Sequence, residues 1–216
     1  MEKEWNNIEE FRSVYQEKIK EWNKKLDNEH CAVFNSDIPD TKEKWGKIKL
    51  IIVGDNPGQE EKVQNKYLIG PAGEIARNFI NKKWDLNFEE NVLVLNKTPI
   101  FTPTTQKLTG IDIGIRKETQ EWMATNIVQL HQSLKCELWI IGMGQLNKGI
   151  FKTFKETFKK TFEEKNGNWD NVFVYKHFSC GGFFKDLLKL QGKASVCEIQ
   201  KLGEEIREKI FIKPAT

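Results

Sequence analysis

A short polar cluster, Gly54-Asp55-Asn56-Pro57-Gly58, follows directly on the apolar run Leu50-Ile51-Ile52-Val53. It offers a carboxylate and a carboxamide on a backbone stiffened by proline, two groups able to orient or deprotonate a water molecule. Asn96 follows a second such run, Val92-Leu93-Val94-Leu95. An Asn amide presents an acceptor and a donor side by side, so a fixed one can pair with the edge of a planar base. His177 follows a third run, Val172-Phe173-Val174-Tyr175. Hydrogen-bonded or charged, its imidazole can stabilise a developing oxyanion. His30 and His131, in a polar loop and an amphipathic helix, read as structural or surface residues. Singly, each of these positions is an ordinary strand-ending turn. Together they gain weight, because neighbouring parallel strands would bring all three clusters to one edge of a sheet, where open α/β folds place their ligands.

The elements that must do this positioning are visible as periodicities. Strands are expected near 48–53, 91–96, 137–142 and 171–176, each apolar on both faces. Helical spacing of three and four joins Trp5, Ile8, Phe11, Tyr15, Ile19, Trp22 and Leu26, and later Ile115, Trp122, Met123, Ile127, Leu130 and Leu134. Phe151, Phe154, Phe158 and Phe162 line one face of a further helix, with Lys148, Lys152, Lys155 and Lys159 on a face that solvent explains. Residues 35–46 read as a loop. A long polar connection from Asp55 to Gly70 precedes a helix starting near Pro71, and its excess length is of the kind that carries function. Another long loop runs from Thr98 to Thr105. Two short helices follow the Gly181-Gly182 pair. Strands apolar on both faces and alternating with helices call for an α/β fold, a three-layer α/β/α sandwich around a four-stranded parallel sheet. One domain is expected over 1–216, with the helix and loop of 1–46 packed upon it.

Composition narrows the class. The chain has 216 residues, 38% hydrophobic and 30% charged, with a formal charge of +3 from 34 basic and 31 acidic side chains. Such a balance permits a polyanionic partner only through local clustering. Lys176, Lys185, Lys189 and Lys193 flank His177 and are candidates for phosphate contacts. Four scattered cysteines form no C-x-x-C pair, which argues against a zinc or iron–sulfur site and against a disulfide framework. No apolar run reaches the ~20 residues of a membrane span, and the first residues have no signal-peptide pattern. A cytoplasmic protein without metal or cofactor is expected.

With these residues in view, the chain resembles the uracil-DNA glycosylase superfamily from about Leu50 to Leu190. Gly54-Asp55-Asn56-Pro57-Gly58 is similar to its first catalytic motif, the Asn-Pro-Gly ending matching the mismatch-specific and single-strand-selective branches. Gln59-Glu60-Glu61 and Ile69-Gly70-Pro71-Ala72-Gly73 look like the thermophile-type branch. Leu95-Asn96-Lys97-Thr98-Pro99 resembles the strand that supplies the uracil-reading Asn, and His177-Phe178-Ser179 the final His-Pro-Ser motif. The iron–sulfur cysteines of one branch are missing. The resemblance implies that Asn56 or Asp55 positions the attacking water, that Asn96 reads the base, and that His177 stabilises charge on it as it leaves. It further implies that Gly54, Pro57, Gly58 and Gln59 line the base or phosphate. The stacking ring of the family falls at Leu68, with Tyr67 as a substitute. Pro71, Gly73, Ser179 and Gly181, with Lys176 and Lys185, would face DNA, and Phe183 or Phe184 could wedge into the helix. The implied partner is DNA containing uracil or another damaged base. Two other readings fit the same residues: a member that binds nucleic acid or nucleobase without cleaving it, and an α/β enzyme acting on a small nucleoside or phosphorylated metabolite.

Overall fold

The computed structural model describes residues 8–27, 29–190 and 195–212. Four strands, β1 (Leu50–Gly54), β2 (Val92–Asn96), β3 (Glu137–Ile141) and β4 (Val172–Tyr175), lie parallel in the order β2-β1-β3-β4. Their residues alternate between two cores. Ile51, Val53, Leu93, Leu95, Leu138, Ile140, Val172 and Val174 face one; Leu50, Ile52, Val92, Val94, Trp139, Ile141, Phe173 and Tyr175 face the other. The first core is covered by α1 (Glu10–Lys25), α6 (Ile113–Leu134) and α8 (Lys152–Glu164). The second is covered by α4 (Pro71–Lys83), α9 (Gly182–Lys189) and the start of α10 (Val196–Arg207). The result is a three-layer α/β/α sandwich. Both faces of every strand are buried, which is why the strands read as continuous apolar runs.

The helices follow from the same chemistry. In α8, Phe154, Phe158 and Phe162 stack at centroid distances of 5.9 and 5.6 Å and are fully buried. Each such ring contributes about 1.5–3 kcal/mol by leaving water. On its outer face Lys152, Lys159 and Lys160 meet Glu156, Glu163 and Glu164 one turn on, so those lysines are a solvated face. Pro71 opens α4 at the position where its missing N–H costs nothing.

Two expectations are corrected. The stretch 35–46 is not all loop: Thr41 caps α2 (Lys42–Lys47), accepting from Lys44 N, and Trp45 is buried beneath it. The connection after β1 contains α3 (Gln59–Gln64), a helix without a buried residue and so without an apolar stripe to betray it. Strand ends shift by one or two residues; β1 runs on to Gly54 because that residue pairs with Asn96 across β2. Of the first amphipathic stretch, Trp5 lies outside the described residues. The remaining short helices are α5 (Phe88–Asn91), entering β2, and α7 (Met143–Asn147), leaving β3. No helix among the described residues is long and apolar enough to cross a membrane.

Candidate active site

From β1 the chain crosses to β2 on one side and later returns to β3 on the other. The carboxyl ends of β1 and β3 therefore flank the point where strand order reverses, the usual ligand crevice of such sheets. Asp55 and Asn56 leave β1 there, Gly142 leaves β3, Asn96 ends β2 with Lys97 following it, and His177 follows β4.

The centre of this rim is a residue that the sequence reading passed over. Lys97 has no exposed surface, and its Nζ lies 2.6 Å from Asp55 Oδ1. It also donates to Gly54 O at 3.3 Å and, in a short hydrogen bond, to Ile141 O. Three donors thus meet three acceptors from the tips of β1 and β3. The ring of Phe151 lies 5.2 Å from the ammonium. Burial pushes the Lys97 pKa down, while Asp55 pulls it back up. Breaking a buried pair from one side typically costs about 3–5 kcal/mol. Asp55 in turn rests on Gly142, where an added methyl would come within 2.3 Å of Oδ1 and where φ is +85°. Only glycine suits that position. Register explains the meeting: Gly54 pairs with Asn96, so the next residues along, Asp55 and Lys97, are neighbours too, a pairing no single segment of sequence announces.

His177 belongs to the same electrostatic unit. Burial lowers its pKa, Asp55 raises it and Lys97 lowers it. Its Nδ1 accepts the Ser179 N–H at 3.2 Å and lies 2.6 Å from Ser179 Oγ. With Nδ1 acting as acceptor, the proton of the neutral ring sits on Nε2 and is available to a ligand.

Two amides complete the rim. Asn56 Nδ2 donates to Thr102 Oγ1 at 3.0 Å and lies 3.2 Å from Pro57 O and 3.5 Å from Ile100 O. Its Oδ1 has no hydrogen-bond donor among the described residues. Asn96 is 4% exposed, and its Nδ2 is buried without a partner. Its Oδ1 lies over Gly54, where a methyl would approach it to 2.4 Å. Gly54 is thus the residue that makes room for the amide.

The remaining predicted positions are more dispersed. The Gly58 N–H is taken by Glu61 Oε2 at 2.5 Å, and Glu61 Oε1 accepts the Leu68 N–H, closing the loop around α3. Burial raises the Glu61 pKa against the pull of those two amides. Leu68 is buried at φ +55°, with its carbonyl held by Arg77 Nη1 at 2.6 Å. A bulky residue in the left-handed region stores about 1–2 kcal/mol of strain, which this clamp sustains. Tyr67 is buried, with its hydroxyl bonded to Val33 O and 3.0 Å from Tyr15 Oη, so its polar end points to α1. Pro57 is buried, Gln59 and Pro71 are exposed, and Gly73 is buried in the first turn of α4. Ser179 and Lys185 are exposed, and the Gly181 carbonyl accepts the Lys185 N–H at 2.9 Å. Lys176 and Lys189 share Asp186, at 2.8 and 3.2 Å. Lys193 lies outside the described residues. Phe183 is no wedge: it is buried edge-on to Phe178 and Tyr175, at 4.8 and 5.4 Å. Among the described residues no three His, Cys, Asp or Glu side chains group as metal ligands.

No protein-family model matches the chain, and no curated protein matches it in sequence. The rim itself must carry the functional argument.

Proposed function

We propose that the protein is a monomeric, cytoplasmic DNA glycosylase of the uracil-DNA glycosylase superfamily, removing uracil or a related deaminated base. The observation that carries this reading is the Asn96 amide, buried at the tip of β2 with an unused donor. Such a group costs about 1–3 kcal/mol unless something pairs with it. Uracil, hypoxanthine and xanthine each show an N–H beside a carbonyl, complementary to the Oδ1 and Nδ2 of one amide. Cytosine and adenine show the reverse order.

The neighbouring groups suit N-glycosidic hydrolysis. Asn56, pinned through Nδ2 by Thr102, turns a free Oδ1 toward a water molecule and orients it at C1′. The water oxygen bonds to C1′ while the C1′–N bond breaks and its electron pair leaves on the base. The proton lost by water balances the proton the departing base takes up, and an abasic sugar remains. As that negative charge grows, the Nε2–H of a neutral His177 donates to the base oxygen that carries it. Reaching this rim requires the base to leave the duplex stack, which costs a few kcal/mol and favours mispaired or damaged bases.

The test is incubation with single-stranded, U·G, U·A, hypoxanthine and xanthine oligonucleotides, followed by alkali. Strand scission is expected with at least one; scission with none rejects the proposal. Asn56→Ala and His177→Ala are each expected to slow single-turnover cleavage by about a hundredfold or more. Full activity in both variants would remove the assigned roles.

A further inference from the structure

Asp55 and Asn56 stand side by side, and chemistry alone allows either to serve the attacking water. Their surroundings separate them. The Asn56 carbonyl oxygen is uncommitted, whereas Asp55 Oδ1 is held by Lys97 at 2.6 Å, with the carboxylate packed against Gly142. Lys97 is fixed in turn by the last carbonyls of β1 and β3. An ammonium with every proton committed and no exposed surface is unsuited to contact a nucleic acid. Nor is a carboxylate locked to it well placed to collect a proton.

We propose that Lys97 is a positioning residue acting through Asp55: the pair ties the tips of β1, β2 and β3 together and cancels the Asp55 charge at the rim where an anionic base must form. This deepens the glycosylase reading and rests on it for its kinetic part. Left alone, the Asp55 carboxylate would repel the developing anion in a low-dielectric site. Paired, it becomes part of a neutral platform, and orientation of the water falls to Asn56. The charged groups facing His177 are Asp55 from the β1 side and Lys97 from the β2 side. Toward β3 and α8 the pair meets Gly142 and Phe151, which do not titrate.

The experiment compares Lys97→Met with the double variant Asp55→Asn/Lys97→Met, which removes both charges and keeps both shapes. Single-turnover rates are taken per folded molecule, alongside the substrate concentration at half-maximal rate. Lys97→Met is expected to lose about a hundredfold in rate with little change in that concentration. The double variant is expected to regain tenfold or more of the loss. A double variant as slow as Lys97→Met would show that the Asp55 carboxylate is itself required, and would overturn the proposal. If Lys97→Met fails to fold, the comparison is with Asn56→Ala: a double variant at least tenfold faster supports the proposal, and one equally slow overturns it. A second arm needs no activity. In NMR titrations the His177 imidazole midpoint should move upward in Lys97→Met, where Asp55 acts unopposed, and return toward the parent value in the double variant. An unmoved midpoint would refute the electrostatic link even in an active enzyme. Failure of the parent protein to cleave any oligonucleotide would reject the glycosylase reading, while the titration would still decide whether the pair acts as one unit.

Discussion

At Asn96 a buried amide nitrogen lacks a partner, and the β2 tip tolerates it because Gly54 leaves space for the other end of the amide. Groups of this kind persist where function needs them more than stability does. The expected signature of Asn96→Ala is therefore asymmetric. Stability in urea should change by no more than about 1 kcal/mol, because relief of the unpaired donor offsets lost packing. Cleavage of a uracil-containing strand should fall about a hundredfold or more. A variant that is strongly destabilised yet fully active would mark Asn96 as a framework residue. The rim also has a division of labour: Gly58 spends its amide on Glu61, and Tyr67 spends its hydroxyl on Val33. By contrast, Asn56 Oδ1 and Asn96 Nδ2 have no hydrogen-bond partner among the described residues.

Among the elements, α6 carries the clearest consequence of burial. His131 is 6% exposed on that helix and stacks on Phe162 of α8 at 5.8 Å. Burial drives its pKa down to about 4, against a smaller upward pull from the Cys136 backbone. Between that value and the ~6.5 of an unfolded histidine, the unfolded chain binds a proton that the native chain refuses. Stability is then complete above about pH 6.5 and falls as the pH drops toward 4. The loss from this residue alone is about 2–3 kcal/mol at pH 4.5. His177, also pushed down by burial, adds in the same direction. His131→Phe should keep the stack and remove most of that acid sensitivity, as read from urea midpoints at pH 7 and 4.5. Equal acid sensitivity in parent and variant would show that His131 does not titrate as described.

For the molecule as a whole, 34 basic and 31 acidic side chains leave little long-range field, so the proposed function requires DNA affinity to arise locally, around the β4 end of the rim. There Lys176 and Lys189 are partly neutralised by Asp186. Lys185 is exposed and makes no ion pair among the described residues. Lys185→Ala is expected to weaken binding to any DNA sequence and to reduce the log–log salt slope by about one, with the rate of bound complexes unchanged. A variant with the parent's salt slope would place the phosphate track elsewhere on the surface.

Much of this architecture is local and could be read from the chain. β-branched runs buried on both faces specify strands, intervening 3.6-residue periodicity specifies covering helices, and together they imply a parallel sheet with all its carboxyl ends on one rim. Gly54, Asp55, Asn56, Asn96 and His177 stood out because each follows such a run. Where side chains end up is a long-range matter that no window of sequence contains. Lys97 looks like any surface lysine until β1 and β3 bring carbonyls and a carboxylate around it, and only that gathering makes burial of an ammonium tolerable. Helix α3 has no apolar face to announce it. The strand order, which sets β1 beside β3 at the point where it reverses, likewise arises from pairing between segments more than eighty residues apart.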